Sequence, residues 1–251
     1  LARADNRDNV AALMAQGETL RQLGLLDQAL TPFARAARLS GLAGSMQPQV
    51  ETARTLTALG RTEEAEAAWR ALLKVIEDPA TATDLTGDPT QVYIGLARLL
   101  LSENRVDEAE AVVAAALAAQ PNTAAVQILA GDLSRFQGRR AEALAAFRRA
   151  AELAPSNVVA NTRVGDLLLE GGQAAEAQAA YEAALASDPG DRSALLGLAR
   201  VLSRAVGTTP TGDALTPEQT ANVHRAQQLV DAVLLNAGDA STDAAQAAQL
   251  I

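Results

Sequence analysis

The side chains that most often carry catalysis are scarce in this chain. It has no Cys, and its single His, His224, falls at the predicted start of a helix, where we expect it to face solvent. We therefore expect neither a thiol nucleophile, nor a His-based metal cluster, nor a Ser-His-Asp triad. The pair Gly171-Gly172 follows a predicted helix and lacks the Lys of a phosphate-binding loop, so it predicts a helix-ending turn. These residues predict no enzyme activity, no cofactor and no metal.

Carboxylates are numerous, with 30 Asp and Glu against 21 Lys and Arg and a formal net charge of −9. Many fall beside Arg, or in the first turn of a predicted helix, where negative charge stabilises the helix dipole. We interpret them as caps and exposed ion pairs instead of acid–base pairs. The acidic balance disfavours nucleic acid and anionic membrane surfaces as partners. The sequence has no run of about 18 apolar residues, so we also expect no direct membrane insertion.

A spacing of 34 residues organises the chain, since Pro121, Pro155 and Pro189 stand at that interval. Units counted from this spacing have Gly or Ala at their eighth position and Ala at their twentieth. The unit starts are Val10, Met46, Thr90, Ala124, Val158 and Arg192. Small residues at fixed intervals let two helices approach closely, and a larger residue fills the remaining space. That larger residue falls at position 24, as Phe33, Trp69, Val113, Phe147, Tyr181 and Val230.

Turn and cap residues recur with the same period. The first helix of each unit is predicted to end at position 15, where a residue with positive φ is expected. That position is occupied by Gly24, Gly60, Asn104, Gly138 and Gly172. The residues before the next unit suggest N-caps, namely Asn122, Asn157 and Asp191.

Because small, bulky and turn residues recur at these positions, the sequence resembles the tetratricopeptide repeat (TPR) family, in which each 34-residue unit is a pair of helices. The resemblance implies an all-α fold, an α-α superhelical solenoid of antiparallel helix pairs. We expect six full repeats, with partial repeats at both ends of the chain. The full repeats are assigned to residues 10–45, 46–79, 90–123, 124–157, 158–191 and 192–240.

Four further segments depart from the regular repeat. Residues 80–89 predict a linker insertion that cannot continue a helix, because Pro residues bound a Thr-, Gly- and Asp-rich stretch. Residues 205–220 predict an insertion that splits the sixth repeat, although Thr216-Pro217 also resembles an early start of its second helix. Residues 1–9 match the end of a preceding repeat, and residues 241–251 match the first helix of a further repeat or a cap. We favour a piece of a longer array over a chain that ends in a cap.

In the TPR family, ligand contacts come largely from positions 2, 5, 9, 12 and 13 of the first helix, which form one stripe. The resemblance therefore implies a partner-binding groove with basic patches at Arg54 and Arg98 and at Arg200 and Arg204. An acidic patch at Asp132 and Asp166 lies along the same stripe. We hypothesise that Arg54, Arg98 and Phe136 anchor an extended or helical peptide, the alternative being an ordinary solvated face. The predicted groove residues are Glu18, Arg21, Val50, Arg54, Ile94, Arg98, Ile128, Asp132, Arg135, Phe136, Asp166, Arg200 and Arg204.

The resemblance implies a non-catalytic scaffold that binds a protein or peptide partner through this groove. The alternative is a recruiting domain of a larger bacterial enzyme or of an envelope or secretion assembly. The Lys and Asn of chaperone-binding TPR domains are absent from the matching groove positions, so a chaperone-tail clamp is not expected. Partner identity, pathway and oligomeric state stay open. For localisation, the composition favours the bacterial cell envelope slightly over the cytoplasm.

Overall fold

The structure, a computed structural model, describes residues 9–40, 44–78, 85–206 and 215–236. Within these ranges the chain forms twelve helices and two strands of two residues each. The predicted all-α class, built from consecutive helix pairs, is confirmed.

The helices follow one another with short turns inside each pair. Those of the first half are α1 (Val10–Gln22), α2 (Leu26–Ser40), α3 (Gln47–Ala58), α4 (Thr62–Glu77), α5 (Thr90–Ser102) and α6 (Val106–Ala119). Those of the second half are α7 (Ala124–Phe136), α8 (Arg140–Leu153), α9 (Val158–Glu170), α10 (Ala174–Ser187), α11 (Arg192–Val206) and α12 (Pro217–Asn236). The strands are β1 (Gly44–Ser45) and β2 (Leu85–Thr86).

The chain divides into two compact units, unit 1 from Leu1 to Pro121 and unit 2 from Asn122 to Ile251. In each unit every helix packs on the helices next to it in sequence. The first helices of successive pairs also touch, α3 with α5 in unit 1 and α9 with α11 in unit 2. This nearest-neighbour packing is typical of a repeat array, in which each helix pair buries its apolar face against the next.

The turns inside the pairs have the predicted conformation. The φ angles are 73° at Gly24, 59° at Asn104 and 78° at Gly172. After α9, the amide of Gln173 donates to the carbonyl of Leu168 at 2.9 Å, which closes the helix with a Schellman motif. The prediction of positive φ at position 15 is confirmed, and such three-residue turns make the two helices of a pair antiparallel.

Two of the three predicted N-caps are confirmed. The side chains of Asn157 and Asp191 accept hydrogen bonds from the backbone amide three residues on, at 2.9 and 2.8 Å. The prediction for Asn122 is wrong, because Thr123 occupies the N-cap position of α7. The amide oxygen of Asn122 instead accepts a hydrogen bond from Arg149 at 3.3 Å.

The core rests on contacts between small residues and rings. The position-24 side chains are all 2% exposed or less, and the position-20 alanines are 6% exposed or less. A Cβ added to Gly165 would lie 2.7 Å from a ring carbon of Tyr181, closer than any real packing contact. Equivalent Cβ atoms on Gly17 and Gly131 would lie 2.5 Å from the rings of Phe33 and Phe147. The first helix of these pairs therefore reaches its partner only because position 8 has no side chain.

The segments before α3 and before α5 meet in a short parallel pairing. Gly44 pairs with Leu85 and Ser45 with Thr86, and the amide of Met46 donates to the carbonyl of Thr86 at 3.1 Å. The end of the predicted linker 80–89 thus bends back to the start of α3, whereas residues 80–84 lie outside the described residues. Nothing in the sequence pattern predicted these strands.

The second helix of the sixth pair begins early, as Thr216-Pro217 suggested. The amide of Gln219 donates to the hydroxyl of Thr216 at 3.2 Å, and the amide of Thr216 donates to the side chain of Gln219 at 2.9 Å. These reciprocal bonds form a capping box. Residues 1–8 of the predicted segment 1–9, residues 207–214 of the predicted insertion 205–220 and the whole of the predicted segment 241–251 lie outside the described residues. The repeat boundaries themselves stay a prediction.

A network of ion pairs joins α4 to α6 in unit 1. The carboxylate of Glu66 accepts hydrogen bonds from Arg105 at 2.6 Å and from Arg70 at 2.7 Å. Glu108 accepts from the same two arginines at 2.7 and 2.6 Å. The bonds from Arg105 and then Arg70 lower the pKa of Glu66 from its usual 4.5 to about 2.

Replacing Glu66 by Gln should make the stability of the protein less sensitive to acid. Because the pKa of Glu66 is lowered in the folded state, its ionised form stabilises the fold above pH 4.5, and this contribution is lost as the pH falls towards 2. Since solvent screens the pair, we expect Glu66→Gln to lower the free energy of unfolding by about 1 kcal/mol at neutral pH. The difference from the wild type should vanish near pH 2. Urea unfolding at several pH values measures it, with the exposed Glu63→Gln as control, and a difference independent of pH would contradict the assignment.

Replacing Gly165 by Ala should destabilise the protein, although this change normally strengthens a helix interior. The added methyl group would overlap the ring of Tyr181, so we expect the free energy of unfolding to fall by about 1–3 kcal/mol. In a Tyr181→Leu background the same change should cost less, because the overlapping ring is gone. Chemical denaturation of the four proteins of this cycle measures the coupling. Equal effects of Gly165→Ala in both backgrounds would rule out the ring contact as the cause.

Candidate functional site

A cleft of about 490 Å³ opens in unit 1 along α3 and α5, and we name it the unit-1 cleft. It brings together three of the predicted groove residues, Arg54, Ile94 and Arg98. Its lining comes from three helices of successive pairs, namely Arg54, Thr57 and Ala58 of α3, Trp69 of α4, and Gln91, Ile94, Gly95 and Arg98 of α5.

The cleft depends on how closely α5 approaches Trp69. A Cβ on Gly95 would lie 2.5 Å from the indole ring, so any larger residue there would push α5 away from Trp69. The indole N–H donates to the hydroxyl of Thr57 at 3.1 Å, which fixes the orientation of the ring. Neither Gly95 nor Thr57 was predicted to belong to the site. Gly95 could have been found, because it lies two residues before position 8 of the third repeat and the preceding repeat has a Trp at position 24. The same arrangement recurs in unit 2, where Gly197 lies against Tyr181.

Arg54 is held at the edge of the cleft by two acceptors. Its guanidinium donates to Glu51 and to Gln91, each at 3.2 Å. Glu51 is 5% exposed and also accepts a hydrogen bond from Gln47 at 2.7 Å. Both contacts of Arg54 are longer than the 2.7–2.9 Å that is typical of charge-assisted hydrogen bonds. The guanidinium of Arg54 therefore has a defined orientation, but its hydrogen bonds within the protein are weak.

The unit-1 cleft combines positive charge with an apolar floor. Arg54 and Arg98 are exposed on neighbouring first helices, while Ile94 and Ala58 supply carbon surface above the buried indole of Trp69. Guanidinium groups bind carboxylates through two parallel hydrogen bonds. The cleft can therefore hold a carboxylate that stands next to an apolar group.

The remaining predicted residues of unit 1 do not line this cleft. Glu18 and Arg21 pair with each other at 3.0 Å, and that hydrogen bond lowers the pKa of Glu18 and raises that of Arg21. Val50 is only 2% exposed, so its side chain belongs to the core and offers almost no surface to a partner. The stripe of positions 2, 5, 9, 12 and 13 is therefore partly buried here.

In unit 2 the predicted acidic patch is not purely acidic. Arg163 of α9 lies 3.5 Å from Asp132 and 4.0 Å from Asp166, so it offsets part of their charge. Arg163 was not predicted to belong to the groove, because position 6 of its repeat is not among the groove positions of the family. Asp166 also accepts a hydrogen bond from the hydroxyl of Tyr181 at 2.8 Å. Burial, and then the charge of Asp166, raises the pKa of Tyr181 well above its usual value.

The other predicted residues of unit 2 differ in exposure. Ile128 is 6% exposed and packs in the core, so it is no surface residue. Phe136 is 50% exposed, and Arg135 and Arg200 are exposed as well. Arg204 donates to the carbonyl of Leu169 at 3.0 Å and thereby satisfies the end of α9.

Membrane-spanning helices and metal-binding clusters are absent from the described part of the chain. None of its helices has both the length and the apolar character that crossing a membrane requires. Among the same residues, no three His, Cys, Asp or Glu side chains come together in a group that could hold a metal ion.

Residues 80–133 and 137–200 match a family model described as tetratricopeptide repeat. No curated protein matches the sequence significantly. Among solved structures, a tetratricopeptide repeat protein from Parabacteroides merdae is 18% identical with a TM-score of 0.66, over 99% of this chain and 86% of that one. PilF of Pseudomonas aeruginosa is 17% identical with a TM-score of 0.63, over 94% of this chain and 96% of that one.

A third solved structure, the hetero-tetramer Cut9–Hcn1 of the APC/C, is 11% identical with a TM-score of 0.66. The match covers 98% of this chain but 43% of the matched APC/C chain. At such low identities these likenesses establish the fold alone. The family-model match shows tetratricopeptide repeats in residues 80–133 and 137–200, and the recurring small residues extend the same pattern to the other helix pairs.

Proposed function

We propose that this protein is a non-catalytic interaction scaffold that binds a peptide segment of a protein partner in the unit-1 cleft. Tetratricopeptide repeats are commonly protein–protein interaction modules, which supports the general role. The bound segment carries an Asp or Glu side chain, or a terminal carboxylate, next to an aliphatic or aromatic residue.

One observation carries this proposal, the cleft in which Arg54 and Arg98 flank apolar surface from Ile94 and Ala58. A volume of about 490 Å³ accommodates two or three side chains of a peptide. The apolar part of the ligand gains free energy from burial against Ile94 and Ala58, and the two arginines select a carboxylate beside it.

The contacts that Arg54 makes in the free protein are weak enough for a ligand carboxylate to compete with them. Gln91 is a neutral acceptor at 3.2 Å, and Glu51 approaches the guanidinium at the same distance through one oxygen. A ligand carboxylate can form shorter, paired hydrogen bonds to guanidinium N–H groups that these two acceptors do not use. Because Arg54 is oriented before binding, little side-chain entropy is lost.

Within unit 2, the exposed residues of the predicted groove offer a contact surface of their own. Phe136, at half exposure, offers an aromatic contact for an apolar side chain of a partner. Arg135 and Arg200 offer further positive charge. Val50 and Ile128 are left out because they are buried.

Removing both cleft arginines should weaken capture of acidic peptides. The probe is an array of synthetic decapeptides in which one Asp or Glu is flanked by each apolar residue, beside matching peptides with Asn or Gln. The wild type should prefer the acidic members. Arg54→Ala with Arg98→Ala should weaken binding of the best acidic peptide at least about tenfold, that is by about 1.4 kcal/mol, measured by fluorescence anisotropy.

The matched control is Arg38→Ala with Arg61→Ala, which removes the same charge from exposed positions of unit 1 outside the cleft. It should leave the affinity within about twofold, since screened charges at a distance contribute little. An equal loss of affinity in both double variants would mean that net charge, and not the cleft, causes the effect. Equal binding of acidic and amide peptides by the wild type would overturn the proposal.

A further inference from the structure

A second, smaller pocket lies in unit 2, where α9 meets the start of α11, and has a volume of about 140 Å³. We name it the unit-2 pocket. It is lined by Val159, Thr162, Arg163, Asp166, Asp191 and Ser193. The pocket is large enough for the head of one side chain.

The hydroxyl of Thr162 stands out among the helical threonines. Thr162 is 6% exposed, and its oxygen has no hydrogen-bond partner within the protein. By contrast, Thr52, Thr55 and Thr57 each donate to the carbonyl four residues earlier, at 2.7 to 2.9 Å. A buried hydroxyl without a partner is unfavourable. Its place in the lining of the pocket indicates that a bound group completes it.

The charge of the pocket favours a cation. Asp166 and Asp191 both line it, against the single guanidinium of Arg163. Arg163 is shared between Asp166 at 4.0 Å and Asp132 at 3.5 Å, which is too far for strong charge-assisted hydrogen bonds. Asp166 takes the hydroxyl of Tyr181, and Asp191 takes a backbone amide, each through one oxygen. Both carboxylates therefore keep acceptor capacity.

Charges of both signs lie near this pocket. Arg200 and Glu170 both act electrostatically on the hydroxyl of Tyr181, in opposite directions. A bound metal ion is a poor match, because no group of three His, Cys, Asp or Glu side chains within the described residues could hold one. An organic cation needs fewer carboxylates than a metal ion does.

We propose that the unit-2 pocket binds the side chain of a Lys residue in a partner peptide. The three N–H donors of the ammonium match the carboxylate of Asp166 and the hydroxyls of Thr162 and Ser193. Val159, at 50% exposure, lies at the pocket and covers the aliphatic stem of the lysine. This inference rests on the proposed function only in taking the partner to be a peptide.

The test is a titration followed by amide chemical shifts in nuclear magnetic resonance spectra. The probes are three capped tripeptides, acetyl-Gly-X-Gly-amide, in which X is Lys, Arg or norleucine. The Lys peptide should cause saturable shifts at residues 159–166 and 191–194, and the norleucine peptide should cause none at the same concentration. Equal binding of the norleucine peptide would overturn the proposal, and equal binding of the Arg peptide would overturn the assignment to lysine.

Two variants separate binding from structure. Thr162→Val removes the unpartnered hydroxyl, so it should keep or raise the melting temperature while weakening the Lys peptide at least about threefold. Asp166→Asn keeps an acceptor for Tyr181 and should weaken the peptide at least about tenfold. Asp231→Asn, at an exposed position of α12, is the charge control and should change nothing. Unchanged affinity in both pocket variants would overturn the proposal.

The two pockets can fail independently. The variant with Arg54→Ala and Arg98→Ala should bind the Lys tripeptide like the wild type, because neither arginine lines the unit-2 pocket. Thr162→Val should bind the acidic decapeptides of the array like the wild type. Loss of Lys-peptide binding in the arginine variant would contradict a separate lysine pocket.

Discussion

The fold depends on close contact between a small residue on one helix and a ring on the next. Where position 24 is Phe or Tyr, position 8 of the same unit is Gly, and a single added carbon would overlap the ring. A ring buries a large apolar area only if the facing backbone comes near, so the packing of Tyr181 depends on the absence of a side chain at Gly165. Ala at position 20 continues this contact along the second helix, where all six are buried.

The same rings connect the core to the surface. The indole of Trp69 donates to Thr57 in the unit-1 cleft, and the hydroxyl of Tyr181 donates to Asp166 at the unit-2 pocket. A buried polar tip needs a partner, so each ring fixes a side chain on the first helix beside it. Gly95 and Gly197 lie against these same two rings. The residues that let helices approach therefore also determine which polar groups reach the proposed binding surfaces.

Features that recur with the 34-residue spacing were predictable from the sequence, whereas features that depend on non-repeating contacts between helices were not. The positive φ of Gly172 and the packing of Tyr181 on Gly165 follow from fixed spacing, because each involves residues of a single 34-residue repeat. Arg54, Ile94 and Arg98 share a cleft because equal positions on neighbouring first helices fall side by side. The burial of Val50 depends on how deeply the adjacent helix sits, and spacing does not specify that depth. The pairing of Gly44 with Leu85 involves too few residues to leave a periodic signal.

Local charge and net charge act on a partner over different distances. The chain as a whole carries −9, so it repels an acidic segment at long range, yet the unit-1 cleft presents two arginines at contact distance. At physiological salt the Debye length is about 8 Å, so repulsion from distant carboxylates is largely screened whereas direct hydrogen bonds in a partly buried cleft are not. Net charge therefore affects the rate of encounter more than the stability of a bound carboxylate. The overall acidity of the chain is therefore compatible with the proposed binding of a carboxylate in the unit-1 cleft.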